Sequence, residues 1–306
     1  MAMSSDLGQA RTVELSSGPI GYRERGEGDP VLFVHGLLVN ADLWRTVAPV
    51  VSTAGFRCIA PDWPLGAHTR PMRAAADLSP SGIVELMREF LDHLDLDTVT
   101  LVANDTGGAL TQLFIARYPE RVARVVLTPS DCFEYFFPPT FRPLQWLSRM
   151  PGSVWPIVQL LRFPALQRLP IAFGWVAKHP IPEDIIRSYL GPSRCSGGVR
   201  RDVRKLLRGV DNRLTLAAID HLRDYPGRVL LAWAEEDRLF PCALADRLAD
   251  VFPHAEVVLI PDSYTFVPED QPARLGEVIL EFLLLHGSTG ALGRIRPVIT
   301  LPRKGR

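Results

Sequence analysis

The sequence predicts an α/β fold built on a mainly parallel sheet. Two observations carry the prediction. Short apolar runs alternate with amphipathic stretches at both ends of the chain, and the alternation is interrupted once, between residues 131 and 225. Runs such as 30–35 (PVLFVH) and 57–61 (RCIAP) lack the polar–apolar alternation of a half-exposed strand. Both of their faces must therefore be covered, which is the condition of a strand inside a parallel sheet flanked by helices.

In chain order, residues 12–15 and 19–24 read as opening strands, and Gly26-Glu27-Gly28-Asp29 reads as a turn. The buried strand 30–35 follows, then an amphipathic stretch over 41–54 and the strand 57–61. Ser79-Pro80 supplies an N-cap with proline at the first helical position. The helix after it gathers Ile83, Met87, Phe90, Leu91 and Leu94 on one face. Strand 99–104, helix 107–118 and strand 122–129 complete the first series of βαβ units. Residues 131–225 are rich in Pro, Phe and Trp and lack a buried-strand pattern; 144–169 and 182–190 look helical and proline-broken. The alternation resumes with strand Arg228–Ala234, helix Cys242–Val251, strand 256–260 and helix Pro272–Leu285. The expected organisation is one α/β core (1–130 and 226–290), a helical insertion (131–225) and a tail (291–306) whose arginines and Lys304 belong to a solvated end.

Composition narrows the partners. The chain has 306 residues, 47% hydrophobic and 22% charged, with a formal net charge of zero, so no whole-chain field favours nucleic acid or an anionic membrane. The N-terminus lacks the charged and apolar regions of a signal peptide, and no apolar run is long enough to span a bilayer. Four scattered cysteines form neither a disulfide framework nor a metal-ligand cluster, which predicts reduced thiols and a cytoplasmic location. No phosphate loop or dinucleotide fingerprint is present, so neither cofactor nor metal is expected, and the sequence does not fix the oligomeric state.

The chemistry concentrates at Ala103-Asn104-Asp105-Thr106-Gly107-Gly108. A turn this sharp between strand and helix forces its apex residue into strained geometry, and small residues two before and two after it avoid clashes. The apex, Asp105, is aimed above the carboxyl end of the sheet, where open α/β sheets bind ligands. A helix-capping aspartate is the simpler alternative, but capping alone requires neither the small flanking residues nor the fully apolar strand.

These features resemble the α/β-hydrolase fold, and within it the branch with an aspartate nucleophile, the haloalkane and haloacetate dehalogenases and epoxide hydrolases. The resemblance rests on His35-Gly36, Pro61-Asp62, the elbow NDTGG at 104–108, WAEEDRLFP at 233–241 and PDSYTFVPEDQP at 261–272. It implies that the 131–225 insertion is the family's cap and that Asp105 attacks an electrophilic carbon to give an ester, which activated water then hydrolyses. It further implies an oxyanion hole from the backbone N–H groups of Leu37 and Thr106, and Asp237 as the acid that orients the base, with Asp131 as a second candidate for that acid.

One position departs from the pattern. The family's base lies in a loop that usually reads Gly-His-Phe; here it reads Tyr264-Thr265-Phe266, so Thr265 stands where the histidine is expected. A threonine hydroxyl has no basicity near neutral pH. Three readings stay open: another group activates water (His68, Asp131 or Asp237), Asp105 serves a non-hydrolytic reaction, or the fold binds a small molecule without turning it over. The tryptophan that usually follows the nucleophile as a halide donor is Thr106, and Leu37 takes the place of a polar residue. Tyr135 and Tyr189 are candidate counterparts of the tyrosines that open epoxides. The aromatic insertion implies an apolar small-molecule substrate.

Overall fold

The computed structural model describes residues 4–285; the basic tail and His286 lie outside them. Eight strands form one sheet: β1 (Gln9–Leu15), β2 (Gly18–Arg25), β3 (Asp29–Val34), β4 (Phe56–Pro61), β5 (Val99–Asp105), β6 (Val122–Ser130), β7 (Arg228–Ala234) and β8 (Ala255–Ile260). Their order is β1-β2-β4-β3-β5-β6-β7-β8. The β1–β2 and β2–β4 pairs are antiparallel, and every other pair is parallel. The parallel α/β expectation therefore holds. The centre of the sheet is buried on both faces, as the uninterrupted apolar runs of β3, β5 and β7 require.

The differences from the sequence reading have local causes. β1 begins three residues earlier than expected because its first residues are exposed at the sheet edge and carry no apolar signal. The 41–54 stretch splits into a 3₁₀ turn, Ala41–Trp44, and a short helix, Val47–Thr53. Strand β5 runs on through Asp105 and the next helix starts at Thr106, so the elbow is one residue tighter than predicted at each side. Ser79 caps the helix Pro80–His93 as read, its hydroxyl accepting from Gly82 N–H at 3.2 Å.

Between β6 and β7 the described chain contains helices only. The 144–169 stretch forms short pieces, Arg142–Leu147, Val154–Leu160 and Pro164–Gln167, with a longer helix at Glu183–Cys195. Two helices, Gly197–Gly209 and Asn212–Arg223, carried too many arginines and too few large apolar residues to be singled out from sequence. A small apolar cluster joins this insertion to the α/β layer: Phe136, Phe137, Val154, Val203 and Leu207 pack with Ala109 on the helix that follows the elbow. Further insertion residues, among them Phe133, Val176, Ile185 and Tyr189, pack into the main core.

Candidate active site

Asp105 has φ 55° and ψ −132°, a conformation that an L-residue holds only at a cost of about 1–3 kcal/mol. The neighbouring glycines make that geometry sterically feasible. A Cβ on Gly107 would lie 2.3 Å from the Val34 carbonyl oxygen, one on Gly108 2.1 Å from Ser130 Oγ, and one on Gly36 2.1 Å from Asp105 Oδ2. Glycine in a helix is ordinarily about 1 kcal/mol worse than alanine. At Gly107 the clash with backbone outweighs that gain, and Gly107→Ala is expected to lower stability by about 1–3 kcal/mol in urea unfolding. A higher urea midpoint would mean that the elbow has slack. Although Asp105 is the N-cap residue of helix Thr106–Arg117, its side chain makes no capping hydrogen bond. Instead Asp105 Oδ2 accepts the Leu37 N–H at 3.1 Å. The Thr106 N–H also favours the charged carboxylate, though its geometry falls short of a hydrogen bond. Oδ2 is thus the oxygen held by the backbone.

Two further carboxylates approach this one. Asp131 follows β6; it accepts the Thr106 hydroxyl at 3.0 Å through Oδ2, and its Oδ1 is buried without a hydrogen-bond partner. Asp237 follows β7, and its Oδ1 accepts the N–H groups of Leu239 at 2.7 Å and Phe240 at 2.6 Å. Thr265 faces Asp237 closely enough to favour its charge weakly, yet neither Asp237 Oδ2 nor Thr265 Oγ1 completes a hydrogen bond. A buried polar atom left unpaired costs about 1–3 kcal/mol, so two facing each other mark a place built for something other than stability.

Burial dominates the electrostatics of all three. It pushes Asp105 up to about 6 against the opposing pull of the Leu37 and Thr106 N–H groups. It raises Asp131 well above the usual carboxylate range, and the Asp105 charge raises it further. Asp237 is pushed up to about 7, mainly by burial, with the Phe240 and Leu239 N–H groups pulling the other way. Two like charges cannot both ionise cheaply at close quarters; the Leu37 N–H favours the charge on Asp105, while burial beside that charge disfavours it on Asp131.

The histidines fall elsewhere. His68 lies buried with Nε2 3.2 Å from Asp202 Oδ2, a carboxylate on helix Gly197–Gly209 that also accepts the Met72 N–H and the Arg201 guanidinium. It ties core to insertion and does not line the cavity above Asp105. His35 accepts the Trp63 N–H on Nε2 at 2.9 Å, which leaves the proton on Nδ1 facing the Gly36 carbonyl; burial lowers its pKa to about 4. It is a neutral brace for the Gly36 turn. Tyr189 donates its hydroxyl to Glu269 at 2.5 Å, and neither it nor Tyr135 lines the cavity.

One positioning residue escaped the sequence reading. The Asn104 amide donates to the Thr265 carbonyl at 2.7 Å and to Thr128 Oγ1 at 2.8 Å, pinning the loop of β8 to the elbow. The Phe266 N–H meets the Val176 carbonyl of the insertion at 2.6 Å, fixing the same loop from its other side. Nothing in the sequence distinguishes Asn104 from an ordinary strand-end residue.

Above Asp105 lies a cavity of about 270 Å³, walled by Leu37, Phe137, Leu144, Leu161, Val176 and Phe266 among others. Among the described residues, the only polar side chains on its lining are Asp105 and Thr140. No group of histidines, cysteines and carboxylates that could hold a metal occurs among the described residues. Chemically, this is a single carboxylate at an apolar cavity, with a backbone donor behind it.

A strained aspartate elbow, backbone donors opposite it and this sheet order define the α/β-hydrolase class of protein. Residues 29–272 match the alpha/beta hydrolase fold family, and the chain belongs to it. Haloalkane dehalogenase 2 of Mycobacterium tuberculosis is 29% identical over 284 residues, covering 89% of this chain and 94% of that protein. The cis-3-alkyl-4-alkyloxetan-2-one decarboxylase of Shewanella oneidensis is 25% identical over 263 residues, 81% of this chain and 80% of that one. Among solved structures, the haloalkane dehalogenase DatA of Agrobacterium tumefaciens superposes with a TM-score of 0.77 at 23% identity, over 92% of this chain and 99% of that one, a likeness of fold.

Proposed function

We propose that the protein is a hydrolase of apolar electrophiles, similar to haloalkane dehalogenases and epoxide hydrolases, with Asp105 as nucleophile. The observation that carries this reading is that Asp105 is the one ionisable side chain lining an otherwise apolar cavity, with its second oxygen held by Leu37 N–H. Oδ1 attacks the substrate carbon, the bond to the leaving group breaks with its electron pair, and an alkyl ester of Asp105 forms. The ester carbonyl then faces the Leu37 and Thr106 N–H groups, which stabilise the oxyanion when water adds. The attacking water sits between the unpaired oxygens of Asp237 and Thr265, and Asp237 accepts its proton. A carboxylate with a pKa of about 7 suits that task at neutral pH. Collapse of the intermediate releases the alcohol and restores Asp105.

Because the lining supplies no N–H or O–H donor other than Thr140 for the departing group, leaving-group ability should control the first step, with iodides faster than bromides and bromides faster than chlorides. The test is intact-protein mass spectrometry after exposure to a panel of haloalkanes and epoxides. The expected result is an adduct of the alkyl mass that peptide mapping assigns to Asp105; no adduct and no product across the panel sinks the proposal. The lack of an imidazole at Thr265, together with a relative named as a decarboxylase, favours a second reading, a reaction that needs no water. Run in ¹⁸O-labelled water over several turnovers, the two readings separate: hydrolysis places label on the Asp105 carboxylate first and carries it into the product in later turnovers, whereas a reaction without water labels neither.

A further inference from the structure

The insertion carries a second feature that the cavity does not explain. Between Glu134 and Glu183 the chain has no acidic residue, while Arg142, Arg149, Arg162, Arg168 and Lys178 fall within it. Lys178 is paired with Glu236 and Asp262. The four arginines are exposed and make no ion pair among the described residues. Elsewhere arginines are commonly paired, as Arg45, Arg88, Arg121 and Arg247 are. The acids that share surface pockets with these arginines, Glu134, Asp211 and Glu183, are already engaged by Arg247, Arg213 and Arg187.

The same stretch is the most apolar exposed surface described. Of the eleven exposed large hydrophobic side chains among the described residues, seven lie within 146–171, including Trp146 at 65%, Trp155 at 50%, Phe163 at 46% and Ile171 at 67% exposure. The Arg162 guanidinium lies 4.6 Å over the Phe163 ring. Exposed tryptophans and aliphatic residues interleaved with unpaired arginines are the composition of a surface that lies in a lipid headgroup region. The short helices of this stretch present Leu144, Leu147, Ile157 and Leu161 to the cavity and Trp146, Trp155 and Leu160 to the outside. A folded face therefore offers these side chains, one whose inward side chains are spoken for.

We propose that residues 142–171 seat the protein on an anionic lipid bilayer, the arginines meeting lipid phosphates and Trp146, Trp155 and Leu160 entering the headgroup–acyl boundary. No helix among the described residues is long and apolar enough to cross a membrane, so the contact is with the surface only. The zero net charge that argued against a membrane averages over a segregated distribution: the cations of this face are balanced by acids elsewhere in the chain. The proposal stands independently of what Asp105 does.

The test uses the full chain with vesicles of phosphatidylcholine alone and of phosphatidylcholine mixed with phosphatidylglycerol. Flotation with the anionic vesicles at low salt is expected, with a blue shift of tryptophan emission and loss of both at high salt. Each arginine near an anionic surface contributes roughly fivefold to partitioning, so the triple variant Arg149→Glu/Arg162→Glu/Arg168→Glu should bind at least roughly a hundredfold more weakly. Unchanged thermal unfolding is its folding control, and Trp146→Ser/Trp155→Ser, which removes the blue shift, gives an independent reading. Absence of flotation, or binding equal on neutral vesicles and indifferent to charge reversal, overturns the proposal. So does concentration-dependent dimerisation that quenches the same tryptophans while vesicles bind nothing, which would assign the face to a second copy of the chain.

Discussion

In a Thr265→His variant, hydrolysis of the Asp105 ester is expected to accelerate by about tenfold or more, because an imidazole placed against the ester takes over from Asp237 as base, and the gain is the part of the usual roughly 10²–10⁴-fold general-base contribution that Asp237 does not already supply. The loop that would carry the imidazole is already fixed. Asn104 holds the Thr265 carbonyl at 2.7 Å, and Val176 holds the Phe266 N–H at 2.6 Å. Asp237 Oδ2, now without a hydrogen-bond partner, would accept the imidazole N–H and orient the ring. The opposing effect is volume, because Thr265 is fully buried and an imidazole is larger. Overpacking of this kind typically costs about 1–3 kcal/mol of stability. That loss lowers the melting temperature and leaves the folded fraction near one, so the kinetic gain should be visible. Pre-steady-state measurement separates the steps: alkylation of Asp105 should keep its wild-type rate while the decay of the adduct speeds up. If adduct decay is unchanged in a folded variant that still alkylates, residue 265 does not face the ester and the proposed position of the water is wrong.

How much of the fold and site is legible in the sequence depends on which physical signal each residue leaves. The central strands announce themselves, because a run buried on both faces has no choice but to be apolar, as β3, β5 and β7 are. The elbow is equally legible, because the close approach at Gly36, Gly107 and Gly108 forbids any Cβ. The surroundings of the site are not. His68 follows β4, and the topology directs its loop toward the carboxyl end of the sheet, but its actual partner is Asp202, 134 positions away on a helix the sequence did not single out. Asn104 holds the Thr265 loop through a side-chain-to-backbone bond, and backbone acceptors leave no mark on residue identity. Asp131 and Asp237 could be placed by resemblance; their raised pKa values could not, since they arise mainly from burial, which only the packed fold determines. The basic, acid-free stretch between Glu134 and Glu183 was present in the letters throughout. It is lost only when charge is summed over the whole chain.

The carboxylate proposed to replace the missing imidazole leads to the other large effect. In Asp237→Asn the ester should still form and then persist, so that a wild-type enzyme with steady turnover becomes one that stops after a single equivalent. An asparagine keeps an oxygen for the Leu239 and Phe240 N–H groups and removes only the ability to take a proton. In the wild type, adduct decay should rise with pH and level off above about 7, the folded-state pKa of Asp237. Esterification removes the Asp105 charge that helps to raise that pKa, so the midpoint in the alkylated enzyme should lie slightly lower. Stability moves the opposite way. A carboxyl raised to about 7 from its ordinary value of 3.8 binds more protons folded than unfolded between those values. Its contribution is therefore fully present below about pH 4 and is lost as pH rises toward 7. At pH 8 the wild type carries a buried charge worth up to about 4 kcal/mol of lost stability, and Asp237→Asn should regain part of it. The variant is thus expected to melt higher than the wild type at pH 8 while releasing no product, with the two curves converging as the pH falls. A variant that melts lower at pH 8 would show that the Asp237 charge costs no stability; one that still clears its ester with the wild-type pH profile would show that the proton goes elsewhere, and Asp131, raised by burial and by the Asp105 charge until esterification removes that charge, becomes the base to test.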